Sequence, residues 1–272
     1  MAFQKKTLRL IEEAHNVLQE YNPMTLRQIY YQLVSRHVID NKRSEYQRLS
    51  GALVKARQES LIPWEWIEDR VRRPQVVGMW QDLPAFLETV KNAYRKNIWD
   101  KQPVYTEVWL EKDALSGIFS DITEEYGVTL VVGRGYNSWS AYREAALRFK
   151  NQRKPVSILY FGDFDPSGLD IVRALQESLN FFGISPEIEK IALTIQDITD
   201  YDLPPDFTKK TDSRSAKFIK KYGDLAVELD ALPLPALQEK IRASIANKLD
   251  MAALKEIQVL ESQERKELAD LL

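Results

Sequence analysis

The chain has 272 residues, with 44% hydrophobic and 29% charged residues and a net charge of −2, a globular composition that sets aside disordered and fibrous classes and leaves room for one or two domains. With no cysteine and only His15 and His37 as histidines, disulfides, thiolate nucleophiles, cysteine zinc sites and three-histidine metal centres are excluded. Chemistry must come from Asp, Glu, Lys, Arg, Ser, Thr or Tyr, and carboxylate-rich sites suit hard cations such as Mg²⁺.

The opening MAFQKKTLRLIEEAHNVL carries charges throughout, and no apolar run approaches the ~20 residues that cross a bilayer, so a cytoplasmic chain with no membrane contact is expected. Helical spacing of Leu8, Ile11, Ala14, Val17 and Leu18 predicts a helix over Phe3–Tyr21, ended by Asn22-Pro23. Thr25 and Gln28 form a capping-box pattern at the start of LRQIYYQLVSR. A third helix is expected over Ser44–Ser60, burying Tyr46, Leu49, Leu53 and Ala56. LIPWEWIEDRVRR, with its alternating tryptophans, reads as a short strand or wing. Together these predict a winged helix-turn-helix over residues 1–75.

Pro74, Gly78 and Pro84 mark a linker, and a bridging helix is expected over Leu83–Lys96, placing linker and bridge at 76–102. From Pro103 strands and helices alternate: VYTEVWLE, then Asp113–Tyr126, VTLVVG, Ser138–Lys150, VSILYFG and Pro166–Phe182. Near-continuous apolar strands separated by helices predict an α/β domain over 103–249 with a Rossmann-like parallel sheet covered on both faces. The tail, 250–272, reads as helical after a break near Asp250. Charge is uneven: residues 1–100 hold 16 Lys and Arg against 12 Asp and Glu, whereas the remainder holds 22 against 28. A basic front suits a polyanion, and an acidic back supplies carboxylates.

Candidate chemistry lies at strand ends. FGDFDPSG places Asp163 and Asp165 after a strand, where carboxylates of a parallel sheet converge on ligands; the same residues are also good turn formers. Glu111 closes the earlier strand, and with the Asp pair it could offer oxygen ligands to Mg²⁺ or Mn²⁺. Gly133 and Gly135 flank Arg134 before Ser138, a helix cap; this suits phosphate contact or simply a tight turn. On the second helix Tyr30 belongs to the apolar face, while Tyr31 lies about 130° from its centre, one turn beyond Arg27. Tyr31 therefore reads as displayed, either merely solvated or poised to attack a phosphate held by Arg27. The third helix presents Gln47, Arg48, Gly51, Lys55 and Gln58, preceded by Lys42 and Arg43, a basic and amide-bearing face suited to the major groove or to solvent.

TLRQIYY resembles the tyrosine motif of the topoisomerase VI A subunit and the related meiotic double-strand-break protein. WLEKDAL and GDFDPSG resemble the Glu and Asp-x-Asp motifs of their Toprim domain, GRGYNSWSAYREA resembles a glycine-containing segment of it, and VELDALPLPALQEKI its later strand-helix portion. The motifs cover most of Met24–Ile241 in the right order. The resemblance implies a Toprim domain, a nucleophilic Tyr31, Mg²⁺ held by Glu111, Asp163 and Asp165, and a homodimer whose tyrosine meets the partner's metal site to leave a 5′-phosphotyrosyl DNA end. The chain is closer in length to compact stand-alone relatives than to a full A subunit. It contains no GxxxxGK[ST] loop, so strand passage would need a separate B-type ATPase subunit. Three functions follow as expectations: tyrosine transesterification of double-stranded DNA, hydrolysis by a Toprim nuclease using water, or DNA binding and assembly without cleavage.

Overall fold

The computed structural model describes residues 4–68, 77–133, 135, 137–205 and 215–271. Three helices lead: α1 (Lys5–Tyr21), α2 (Leu26–Ser35) and α3 (Arg43–Gln58). The Thr25 capping box forms, with Thr25 Oγ1 accepting from the Gln28 N–H at 3.3 Å and Gln28 Oε1 accepting from the Thr25 N–H at 2.8 Å. Two amides that a helix start leaves without carbonyl partners are thereby satisfied. α3 buries Leu49, Leu53 and Ala56, and Tyr46 is half-buried.

The expected wing does not appear in its described part. Trp64–Trp66 forms a 3-10 turn, and Ile67 makes one isolated parallel bridge to Met24. Pro63, with φ of −57°, favours a turn here over a strand. The ring of Trp66 packs 5.2 Å from that of His15, so it anchors the turn on α1. Residues 69–76, including Pro74 of the expected linker, lie outside the described residues.

The bridging helix α4 (Leu83–Ala93) starts where expected, with Asp82 accepting from the Ala85 N–H at 2.9 Å. The α/β body follows as β1 (Tyr105–Leu110), α5 (Ser116–Glu125), β2 (Thr129–Val132), α6 (Trp139–Gln152), β3 (Val156–Phe161), α7 (Pro166–Phe181) and β4 (Glu187–Ala192). After these come α8 (Ile195–Asp200), α9 (Ser215–Tyr222), α10 (Leu234–Ala246) and α11 (Met251–Leu271). The sheet is four-stranded in the order β2-β1-β3-β4, and every pairing is parallel. This agrees with an α/β fold.

Strand alternation sorts the core. Val108, Leu110, Leu159 and Phe161 point to one face, where Phe119 of α5 and Leu237 and Ile241 of α10 cover them; Trp109, Ile158 and Tyr160 point to the other, under α6 and α7. The first cluster continues through the buried faces of α1, α2 and α3, so the front helices and the body share one apolar core. In the middle of that core sits α2, against α1 and α3 on one side and a 3-10 turn, Leu229–Ala231, on the other.

The back half adds one strand that the sequence pattern did not predict and corrects one expectation. EIEKIA forms β4, although its charged residues obscure the pattern of a strand. VELDALPL contributes a bridge, Phe164 to Val227, and the 3-10 turn rather than a strand; Pro233 and Pro235 then impose the start of α10. The break near Asp250 is present, with Asp250 Oδ1 accepting from the Ala252 and Ala253 amides at 2.8 and 3.1 Å. No helix among the described residues is long and apolar enough to cross a membrane.

Candidate functional site

The carboxyl ends of β1 and β3 lie side by side, and the Glu111 N–H donates to the Phe161 carbonyl at 2.9 Å. This register brings Glu111 next to the GDFD turn. Glu111 Oε2 accepts from the Asp163 N–H and from the Tyr160 hydroxyl, each at 3.1 Å. A Cβ at Gly162 would overlap Glu111 Oε2, so this glycine makes room for the carboxylate. Burial, followed by repulsion from Asp163 and Asp165, raises the Glu111 pKa above the ordinary carboxyl value, against the opposing hydrogen bond from Tyr160.

The two aspartates are held differently. Asp163 Oδ1 accepts from the Leu229 N–H at 2.7 Å, while Asp165 Oδ1 caps α7 by accepting from the Gly168 N–H at 2.6 Å. The turn chemistry expected at Asp165 is thus present as the N-cap of α7. The structure places Glu111 beside Asp163, with Asp165 two residues on as the N-cap of α7.

Two lysines stand among these acids. Lys190, on β4, donates to the Asp163 carbonyl at 2.6 Å, and burial lowers its pKa to about 8 although Glu111, Asp163 and Asp165 oppose the shift. Lys112 Nζ lies 3.4 Å from Asp163 Oδ1 and 2.9 Å from Glu228 Oε2, and it pairs closely with Asp230 Oδ2. Burial opposes its charge, yet these acids together push its pKa upward. The Asp230 carboxylate is fully buried, which raises its own pKa, and its other oxygen, Oδ1, has no hydrogen-bond partner.

Glu228 carries this network to the front of the chain. Arg27 Nη1 is 3.2 Å from Glu228 Oε2, and the Tyr31 side chain hydrogen-bonds to the same carboxylate. Burial pushes the Glu228 carboxyl up, but Lys112 and Arg27, with the bonds from Lys112 and Tyr31, hold it below the usual range. Tyr31 is only 4% exposed, which overturns the expectation that it stands on a solvated helix face. Tyr31 is covered by the segment of Glu228 and the Leu229–Ala231 turn, while Arg27, one turn earlier on α2, stays 44% exposed. Tyr30 is structural as expected, with its hydroxyl donating to Asn41 Oδ1 at 2.9 Å and to the Lys42 carbonyl at 3.2 Å.

The expected α3 surface is open: Lys42, Arg43, Gln47, Arg48, Lys55 and Gln58 are all exposed. Part of its charge is already shared, because Arg48 pairs with Glu45 and Lys42 with Asp40, each at 2.7 Å. Arg134 lies outside the described residues. Ser138 caps α6 as expected, accepting from the Ala141 N–H at 3.2 Å.

Glu111, Asp163 and Asp165 supply the hard oxygen donors that Mg²⁺ prefers, and their mutual repulsion favours a cation. Among the described residues, however, no three His, Asp or Glu side chains converge as a metal-binding group. The donor chemistry suits Mg²⁺, whereas the positive charge among these acids comes from Lys112 and Lys190. Sequence reading missed both lysines, Glu228 and Asp230. The signal was present for three of them, as charged residues inside otherwise apolar stretches, WLEKDAL and VELDALPL. Compared with protein-family models and with curated proteins, the chain matches none.

Proposed function

We propose that the chain is a Mg²⁺-dependent DNA-cleaving transesterase resembling the topoisomerase VI A subunit, with a winged helix-turn-helix front, a Toprim-type body and a homodimeric assembly. One observation carries the reading: Tyr31 and Arg27 of the front helix join the acids at the ends of β1 and β3 through Glu228 and Lys112. Tyr31 and Arg27, distant in sequence from Asp163, are thus linked to it by one chain of polar contacts, which supports this reading.

In this reading the α3 face binds the duplex through phosphate contacts, and Arg27 holds the phosphoryl oxygens. Tyr31 Oη attacks phosphorus, the P–O3′ bond breaks, the 3′ oxygen leaves as a hydroxyl after taking a proton, and the 5′ phosphate remains on Tyr31. Bound Mg²⁺, held by Glu111, Asp163 and Asp165, would supply positive charge beside the scissile phosphate. Strand passage would call for a separate ATPase subunit.

The burial of Tyr31 favours a second reading, in which water attacks and the same acids serve a hydrolytic nuclease. Supercoiled plasmid incubated with the protein and Mg²⁺ or Mn²⁺, then denatured with and without protease, separates the two. Breaks linked to protein support transesterification; free ends support hydrolysis. An intact plasmid overturns both.

A further inference from the structure

A DNA strand near the GDFD turn meets fixed negative charge. Glu111 and Asp163 stand there, with Glu228 and Asp230 behind them, and the nearby ammonium groups are already engaged: Lys112 by Glu228 and Asp230, Lys190 by the Asp163 carbonyl. Phosphates approaching this turn are repelled unless further cations stand beside it.

The short helix α9, SAKFIKKY, carries such cations. Lys217, Lys220 and Lys221 fall at i, i+3 and i+4, so they share one face, roughly 130° from the centre of the face formed by Phe218 and Tyr222. All three lysines are exposed, whereas Phe218 is buried. The helix holds no acidic residue of its own, unlike α3, where Glu45 pairs with Arg48. Like charges at this spacing destabilise a helix, and an external anion relieves them.

The aromatic face locks α9 onto the GDFD turn. Phe164, between the two aspartates, is buried, and its ring lies 5.5 Å from that of Phe218 and 5.1 Å from that of Tyr222. Beyond the helix, Val227 exchanges backbone hydrogen bonds with Phe164, its N–H donating at 3.0 Å and its carbonyl accepting at 2.8 Å. Lys221 Nζ lies 4.9 Å from the Tyr222 ring centre, a contact that positions the ammonium without neutralising it. Ahead of α9, the Pro205 carbonyl accepts from Asn41 Nδ2 at 3.2 Å, next to Lys42 at the start of α3. The chain around α9 thus touches both the GDFD turn and the edge of the α3 surface.

We infer that Lys217, Lys220 and Lys221 form a second phosphate-binding surface for duplex DNA, which holds the backbone alongside the GDFD turn. The inference rests on the reading of the chain as a DNA-cleaving protein and adds a contact surface to the α3 face. Lysines meet phosphates as point charges, so this surface positions the duplex without selecting sequence. A membrane-binding helix would present apolar side chains beside its lysines, but here Phe218 and Tyr222 are directed inward onto Phe164.

Lys217→Gln combined with Lys220→Gln and Lys221→Gln removes the charge and keeps helix-forming side chains. Fluorescence anisotropy with a duplex oligonucleotide at several salt concentrations should show weaker binding and a salt slope lower by about 2 to 3, near one unit per lost phosphate contact. A control with the same change of charge elsewhere, Lys150→Gln with Lys255→Gln and Lys266→Gln, should keep the wild-type slope. In the wild type, duplex DNA should slow acetylation of the three α9 lysines relative to Lys255, as read by peptide mass spectrometry.

If the wild type binds duplex and the α9 variant keeps its slope, the surface is overturned while the DNA reading stands. An equal loss in the control variant overturns it as a site and leaves only net charge. Equal acetylation with and without duplex overturns it whatever the stability of the variant. Slowing by phosphatidylserine vesicles but not by duplex assigns the face to a membrane and overturns it too. A wild type that binds no duplex overturns the DNA reading together with this surface.

Discussion

The Glu111 carboxylate occupies the space that a side chain at position 162 would fill. An added Cβ there would overlap both Glu111 Oε2 and the Tyr160 ring. Gly162→Ala should therefore expel Glu111 from the Asp163 amide and cost about 1 to 3 kcal/mol, the usual range for overpacking. Urea unfolding checks the stability, and calorimetric Mg²⁺ titration checks the site. Wild-type stability together with wild-type Mg²⁺ binding would show that Glu111 sits elsewhere in solution.

Asp165 allows its cap to be separated from its charge. Asparagine caps a helix about as well as aspartate, whereas alanine at an N-cap costs about 0.5 to 2 kcal/mol. Asp165→Asn should keep near-wild-type stability without metal yet weaken Mg²⁺ binding, while Asp165→Ala should lose both. If Asp165→Asn binds Mg²⁺ as tightly as the wild type, the residue is a helix cap and nothing more.

The α3 surface should bind DNA mainly by charge. Arg48→Ala with Lys55→Ala should reduce affinity for many sequences and lower the salt slope by about 2, near one unit per lost phosphate contact. Fluorescence anisotropy at several salt concentrations reads both quantities. Because Arg48 already pairs with Glu45, its single variant should change less than Lys55→Ala. An unaltered slope in the double variant would move the DNA surface off α3.

Much of this fold is legible from local pattern. The Thr25 box, the α3 stripe, the three strands ending near Gly133, Glu111 and Asp163, and the cap at Ser138 are each fixed by residues close in sequence. Features set by long-range packing are less visible. Tyr31 stands on the polar side of α2, but Glu228, nearly two hundred residues later by number, decides that the tyrosine is covered. β4 escaped because EIEKIA alternates charges on a half-buried strand, and Lys190 within it shows its role only when β4 pairs with β3. The tryptophans of the expected wing have strand-like spacing, while Pro63 and the Trp66 contact with His15 turn the chain instead.

Lys190 should give the protein a distinctive alkaline pH dependence. Its pKa in the folded chain falls to about 8 from an ordinary 10.5. Between these values the unfolded chain binds more protons, so stability rises with pH through that window, and the cost of the buried ammonium is fully present below it. The gain is on the order of 3 kcal/mol. Lys190→Met should flatten the rise, as read from the difference in urea midpoint between about pH 7.5 and about pH 10. Equal pH slopes in the two proteins would place the ammonium in a hydrated setting.

Tyr31→Phe now carries a stability cost that an exposed tyrosine would not. It removes the phenolic bond to Glu228 but leaves Arg27 and Lys112 on that carboxylate, so the loss should fall near about 1.5 kcal/mol, the low end for a bond to a charged group. Tyr30→Phe loses the bond to Asn41 and should also destabilise, by about 1 kcal/mol. The two variants then part on chemistry. Each can be compared at a temperature where both are folded, with DNA binding measured alongside to exclude a general loss. Tyr31→Phe should bind duplex DNA and form no covalent adduct, because the attacking oxygen is gone. Tyr30→Phe retains that oxygen and should still form the adduct. Cleavage by Tyr31→Phe at the wild-type rate, with ends free of protein, would make water the nucleophile and reduce Tyr31 to a packing residue between α2 and the Leu229–Ala231 turn.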